Sequence, residues 1–248
     1  MSDDEQTAMI RETVAKFVDR ELIPLEPQYL KSKLPGSDHP ELTSEHRKRL
    51  RDVSKELGLW GLDAPEDLGG HDLPTRTMAA VHEELGRSCV PFVLPPDSPN
   101  LRMLQAVGTD AQKKKYLQPY IEGRMASAIA ISEPGAGGDP AGMKTRAVLE
   151  GEEWVLNGRK IWISNARAAD FIIVMARVGS DQRQGGITSF IVEKGTPGFI
   201  IEREIPMVGG GSTYEIVFED CRIPKASVLG EVGKGYAPMQ LRLRTRRL

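Results

Sequence analysis

Cysteine is scarce in this chain: among 248 residues only Cys89 and Cys221 occur, far apart and outside any paired motif. Their rarity excludes a disulfide framework and a cysteine-ligated metal or redox centre, and it points to a reducing compartment. Charge of one sign is lacking too. Lys and Arg number 33 against 35 Asp and Glu, a net charge of -2, so there is no basic field for nucleic acid. No apolar run approaches the ~20 residues that a spanning helix needs. Met1-Ser2-Asp3-Asp4-Glu5 is acidic where a signal or transit peptide is basic. His39, His46, His71 and His82 show no metal-ligand spacing. What remains, 40% hydrophobic and 27% charged, is the balance of a soluble protein. The cytoplasm is the expected location, with the mitochondrial matrix as the alternative.

The chain is long enough for two domains, and its hydrophobic period changes near the middle. Ile10, Val14, Phe17, Val18 and Leu22 recur at helical spacing, with Pro24 as the expected stop. Leu50, Val53 and Leu57 predict a second helix after a Thr43 or Ser44 cap, ending at Gly58. Met78, Val81 and Leu85 predict a third, closed by Gly86. Thr109 and Gln112 have capping-box spacing ahead of Tyr116, Leu117 and Ile121. The Pro-rich piece from Pro91 to Pro99 reads as a loop.

Beyond Met125 come short apolar runs separated by Gly, Asn or Pro, the pattern of a β-barrel or sandwich. Tyr214, Ile216 and Phe218 alternate with Glu215, Val217 and Glu219, as in a strand with one buried face. Asn157-Gly158 is the strongest hairpin signal. The domains expected are residues 1–125 (helical), 126–234 (β-barrel) and 235–248, the start of a further helical domain whose remainder is missing. The fold class is α+β.

Two stretches invite chemistry. In Ile131-Ser132-Glu133-Pro134-Gly135-Ala136-Gly137-Gly138 a strand enters a glycine-rich turn, where bare backbone can offer N–H groups to a pyrophosphate. By composition alone such a turn is more often only a turn. In Trp162-Ile163-Ser164 a period of two puts the indole and the hydroxyl on one face, a way to hold a flat heterocycle. A core tryptophan beside a turn serine is the plainer reading from chemistry alone. Glu83 and Glu84 read as a solvated helix face, and Arg242, Arg244, Arg246 and Arg247 as the solvent side of a helix.

In order, Glu133-Pro134-Gly135-Ala136-Gly137, then Asn157-Gly158 with Lys160-Ile161-Trp162-Ile163-Ser164, then Phe218-Glu219-Asp220-Cys221-Arg222-Ile223-Pro224 resemble the acyl-CoA dehydrogenases. Upstream, Glu56-Leu57-Gly58-Leu59-Trp60-Gly61, Pro65-Glu66-Asp67-Leu68-Gly69-Gly70, Glu83-Glu84-Leu85-Gly86, Gly108-Thr109-Asp110 and Gln112-Lys113 match too. The resemblance implies an FAD enzyme that oxidises an acyl-CoA thioester to the trans-2-enoyl-CoA, a step of fatty-acid β-oxidation. Its electrons would pass to an electron-transfer flavoprotein, and its assembly would be a homodimer or homotetramer. It implies that Ile131 and Ser132 meet the flavin ring and that Gly135, Ala136, Gly137 and Gly138 lie by the pyrophosphate. Trp162 then packs at the dimethylbenzene end, with Ile163 and Ser164 beside N5.

Two positions depart from the family pattern. Gly138 stands where Ser or Thr is usual, removing one hydroxyl contact to cofactor or substrate. Ser164 stands where Thr is frequent and keeps its hydroxyl. The carboxylate base of the family belongs to the C-terminal helices, so no residue here is assigned that role, and Glu133 is expected to serve the loop. The alternatives are a non-catalytic product acting in binding or subunit assembly, and an oxygen-using acyl-CoA oxidase or flavin monooxygenase of the same fold.

Overall fold

The computed structural model describes residues 3–34, 36–38, 42–96, 98–178, 186–207 and 212–244. His39, Arg246 and Arg247 lie outside them. The architecture is α+β, with helices followed by a sheet. The change from helix to strand falls between Ile121 and Ser127. Compactness divides the chain earlier, into one unit ending at Ser98 and one beginning at Pro99.

In the first unit, α1 (Asp3–Phe17) runs on through a π turn (Val18–Leu22) and a 3-10 turn (Ile23–Leu25) into α2 (Glu26–Ser32). Pro24 is therefore not the expected stop. It sits in the first turn of the 3-10 segment, where no N–H is required of it. α3 (Ser44–Glu56) is capped by Thr43, whose Oγ1 accepts from His46 N at 3.2 Å while His46 Nδ1 accepts from Thr43 N at 3.3 Å. α4 is Thr75–Leu85. Val14, Phe17, Leu22, Leu50, Leu62 and Val81 are among the residues that close the core. Glu84 corrects the solvated-face expectation. It is only 7% exposed and accepts from Arg11 Nε at 2.8 Å and Arg87 Nη1 at 3.1 Å. These bonds, that from Arg11 first, hold its carboxyl below the usual range. Glu83 remains exposed.

The second unit opens within α5 (Ser98–Val107), so the end of the expected Pro91-to-Pro99 loop is helical; a helix tolerates proline in its first turn. α6 (Asp110–Gln112), a π turn (Lys113–Leu117) and α7 (Gln118–Ile121) follow. The capping box forms as expected, Gln112 N to Thr109 Oγ1 at 3.2 Å and Thr109 N to Gln112 Oε1 at 3.0 Å. Tyr116 and Tyr120 place their rings 5.0 and 6.1 Å from that of Phe171, seating these helical turns on the sheet.

The strands are β1 (Ser127–Ala130), β2 (Arg146–Glu150), β3 (Glu153–Ser164), β4 (Phe171–Val178), β5 (Ile187–Glu193), β6 (Phe199–Pro206), β7 (Ser212–Pro224) and β8 (Val228–Leu229), followed by α8 (Tyr236–Arg244). They form one sheet in the order β6-β7-β3-β2-β4-β5-β8, with β1 also on β4. Trp154 of β3 meets Phe190 of β5 at 5.3 Å although β2 and β4 separate their strands. The sheet therefore rolls around its inner face, where Ala147, Leu156, Ile172, Val174, Ile216 and Phe218 join the same core. β7 is covered on both faces at its centre, since Glu215 and Val217 are buried as well as Ile216. Arg159 and Arg203 close over Glu215, so the expectation of one buried face holds only for part of the strand. No described helix is long and apolar enough to cross a membrane.

The expected hairpin at Asn157-Gly158 is a correction. β3 runs unbroken through it, and the tight turn lies at Gly151-Glu152, between the paired residues Glu150 and Glu153. Gly151 has φ +62° there. At Asn157 the ladder jumps from Leu156–Cys221 to Gly158–Phe218, a bulge in which Asn157 answers Glu219 and Asp220 together. Asn157 and Asp220 bond each other at 2.9 and 3.1 Å. Gly158 is needed for closeness: a Cβ there would lie 2.5 to 2.7 Å from Thr145 atoms, its Cα included.

Candidate functional site

β1 and β2 lie end to end along one edge of β4, both parallel to it. Ala130 pairs with Val174 and Arg146 with Arg177, leaving only Met175 and Ala176 of β4 between them. Residues 131–145 are thus an excursion from what would otherwise be one strand, an Ω-like loop with neighbouring ends. The excursion holds the glycine-rich stretch.

Its first turn is closed by paired backbone bonds, Glu133 N to Ala136 O at 2.9 Å and Ala136 N to Glu133 O at 3.1 Å. Ala136 is buried with its N–H already used, so it shapes the turn. By contrast, a Cβ at Gly135, Gly137 or Gly138 would meet nothing within 4 Å. Their backbone borders open space that a phosphate can approach.

The carboxylate of Glu133 holds the excursion's other end, accepting from Lys144 N at 2.6 Å and Thr145 N at 2.9 Å. It also accepts from Lys160 Nζ at 2.9 Å, and Lys160 is 0% exposed. Burial alone would raise the Glu133 pKa, but the Lys160 charge and the donors around it outweigh that and hold it below the usual range. Burial pushes the Lys160 ammonium down to about 8. The 2.9 Å approach of Nζ to Oε1 is the geometry of an ion pair, which offsets part of that burial cost. Glu133 serves the loop, as expected.

A second bulge in β3 sets Trp162. The ladder passes from Lys160–Ile216 to Ile163–Tyr214, so Ile161 and Trp162 face Glu215 alone. Trp162 takes φ +62°, rare for a bulky residue. Without the bulge it would share the inner face with Lys160. With it, Trp162 is 58% exposed and Ser164 is exposed beside it, while Ile163 stays in the core at 2%. Trp162 and Ser164 thus share an outer face. The side chain of Ile163 has its place in the core, leaving only its backbone for a ligand.

Ile131, Ser132, Gly137 and Gly138 come together in the wall of a cavity of about 340 Å³, with Pro140 and, from α8, Tyr236, Gln240 and Leu243. Gly135, Trp162 and Ser164 are outside that wall. The α8 residues were not foreseen from sequence. Arg242 Nε donates to Asn100 Oδ1 at 2.7 Å, and Asn100 Nδ2 to Ser127 Oγ at 2.9 Å, linking α8 to β1 through a side chain only 1% exposed. Arg242 is thus anchored inside the unit, against the solvent-side reading. Met239 is fully buried on the same helix. Among the described residues no group of three or more His, Cys, Asp or Glu is placed to hold a metal. Both cysteines are free thiols.

An open glycine-rich backbone, an exposed indole and a hydroxyl at a cavity edge fit a dinucleotide with a flat ring. The model of the acyl-CoA dehydrogenase N-terminal domain matches residues 4–124, and that of the acyl-CoA dehydrogenase middle domain matches residues 128–221. (R)-Benzylsuccinyl-CoA dehydrogenase of Thauera aromatica is 35% identical, with 98% of this chain and 62% of that protein aligned. Mitochondrial isovaleryl-CoA dehydrogenase of Pongo abelii is 38% identical, with 93% of this chain and 54% of that protein aligned. The solved acyl-CoA dehydrogenase of Bacillus anthracis complexed with FAD superimposes with a TM-score of 0.77 and 31% identity, over 100% of this chain and 41% of that one. The chain therefore spans between two-fifths and two-thirds of these relatives. Its two matched domains run in family order over most of its length, and the chain belongs to the acyl-CoA dehydrogenase family.

Proposed function

We propose that this chain supplies the flavin-facing and thioester-facing part of an FAD-dependent acyl-CoA dehydrogenase. The cavity carries the reading: it brings four of the residues expected at the flavin and substrate, Ile131, Ser132, Gly137 and Gly138, into one wall. When bound, FAD supplies the acceptor for the hydride leaving the β-carbon of the acyl group. The chain's own part is binding, orientation and exclusion of water. Backbone N–H groups of Gly135, Gly137 and Gly138 would face the pyrophosphate, while Ala136, its N–H bonded to Glu133 O, holds the turn. The Trp162 indole would cover the dimethylbenzene end, and the hydroxyls of Ser132 and Ser164 would hold the ring edge. Tyr236 and Leu243 give the acyl thioester an apolar wall, and Gln240 gives it one polar contact. Among the described residues no carboxylate lines the cavity, so removal of the α-proton is assigned to none of these residues.

In this reading an electron-transfer flavoprotein takes the electrons, and the active form is a homodimer or homotetramer in the cytoplasm. The test is a titration of the purified chain with FAD, followed by flavin fluorescence, and then anaerobic addition of an acyl-CoA. Saturable quenching, and a flavin spectrum that then responds to the thioester, is the expected result. Absence of saturable binding refutes the proposal.

A further inference from the structure

Lys160 is the least expected residue of the unit. A lysine with 0% exposure forfeits hydration of its ammonium, and such groups persist where their bonds hold something in place. Its Nζ donates to Glu133 Oε1 at 2.9 Å and to the backbone oxygen of Ile131 at 3.0 Å. The next residue, Ile161, donates its N–H to the oxygen of Ser132 at 3.0 Å. Two successive carbonyls of the flavin-facing segment are therefore turned towards β3.

A trans peptide sets its C=O and N–H on opposite sides. With the Ile131 oxygen drawn to Lys160, the N–H of Ser132 points away from β3. From the same strand, two residues on, Trp162 leaves by its bulge. One buried ammonium thus joins the segment that offers Ser132 to the segment that offers Trp162. Glu133 fixes that ammonium and the start of β2 together.

We infer that Lys160, held by Glu133, is a positioning residue that aims the N–H of Ser132 at the flavin ring and sets the ring's two contact segments in register. The inference rests on the flavin reading above. Lys160 does not itself touch the ligand, so its effect is seen in the order of the site. The bonds it makes are charge-assisted and roughly twice as strong as neutral ones.

The test reads flavin binding. Lys160→Met is made together with Glu133→Gln, which removes the carboxylate that a lost ammonium would leave unpaired. The double variant is expected to keep a cooperative thermal transition while its FAD dissociation constant rises about tenfold or more, the loss expected for a charge-assisted bond. Its visible circular dichroism, which reports how the ring is held, flattens. Wild-type FAD affinity and visible signal in a folded double variant would overturn the inference. Amide exchange on the unaltered chain decides independently, including where the double variant fails to fold. Saturation with FAD should slow exchange at Ser132 about tenfold, an effect of the size of one hydrogen bond, and unchanged exchange there would overturn the inference. If the unaltered chain binds no FAD, the functional reading falls and this inference with it. That result differs from a loss confined to the double variant.

Discussion

Gly158→Ala tests whether β3 is one bulged strand pressed on the excursion, as opposed to two strands joined by a turn. In a two-residue turn facing solvent, an alanine meets little. In this structure its Cβ would lie 2.5 Å from Thr145 Oγ1, 2.6 Å from Thr145 Cα and 2.7 Å from Thr145 Cβ, where carbon contacts settle near ~3.5–4.0 Å. The backbones of Thr145 and Gly158 must therefore part by about 1 Å, an overpacking cost of roughly 1–3 kcal/mol. Holding alanine at φ +153° adds about 1–3 kcal/mol of strain. A less flexible unfolded chain returns about 0.4–1 kcal/mol. The net loss is about 1–5.6 kcal/mol, or roughly 2–22 °C in melting temperature at ~2–4 °C per kcal/mol. Trp60 lies in the first unit, so a Trp60→Phe background lets the fluorescence of Trp154 and Trp162 follow the sheet unit alone. The contrast is Gly138→Ser, where a Cβ meets nothing within 4 Å, and stability should move by less than ~0.5 kcal/mol. A Gly158→Ala midpoint within about 1 °C of wild type, below the smallest shift worked out here, would refute the bulge argument.

Other expectations follow from the same geometry. Trp162→Ala removes a ring that is 58% exposed, so the melting temperature should hold while FAD affinity falls roughly 3- to 10-fold, the worth of one aromatic contact; unchanged affinity in the folded variant contradicts the assignment. Burial raises the Cys221 thiol to about 11, so a thiol reagent at mildly alkaline pH should leave it untouched in the native protein and modify it after urea unfolding. Native-state labelling of Cys221, mapped by peptide mass, counts against the core packing. Glu133 has its folded pKa below the ordinary 4.5, so its stabilisation is complete above that value and is lost as pH falls through the folded value. An acid titration of near-ultraviolet circular dichroism should show this limb in wild type and a weaker one in Glu133→Gln.

Features fixed by neighbours in sequence were legible. Thr109 and Gln112 announce their capping box because both partners sit within one turn of chain. The glycine-rich turn and Trp162-Ile163-Ser164 were legible by pattern, since composition alone left a bare turn and a core tryptophan as the plainer readings. What escaped was set by partners distant in sequence. Asn157-Gly158 has the residues of a tight turn, and a bulge makes the same demands, so only Thr145 and Asp220 decide between them. Glu84 reads as solvated until Arg11 closes on it from another helix. Lys160 escaped because lysine is a surface residue by habit, and the carbonyl and carboxylate that draw it inward belong to another segment. The Tyr236, Gln240 and Leu243 wall depends on where α8 lands, which Arg242 and Asn100 set across most of the unit.

The break between β1 and β2 has a consequence for change over time. The excursion leaves one edge of β4 at Val174 and rejoins it at Arg177, so the hydrogen-bond ladder on either side does not count the residues in between. Lengthening or rewriting the loop disturbs no strand register, provided that Glu133 still reaches Lys144, Thr145 and Lys160. Residues 134–143, between those anchors, thus behave as a replaceable cassette on a fixed frame. Cofactor grip and substrate shape can drift or be engineered there, while the frame that folds the protein stays constant.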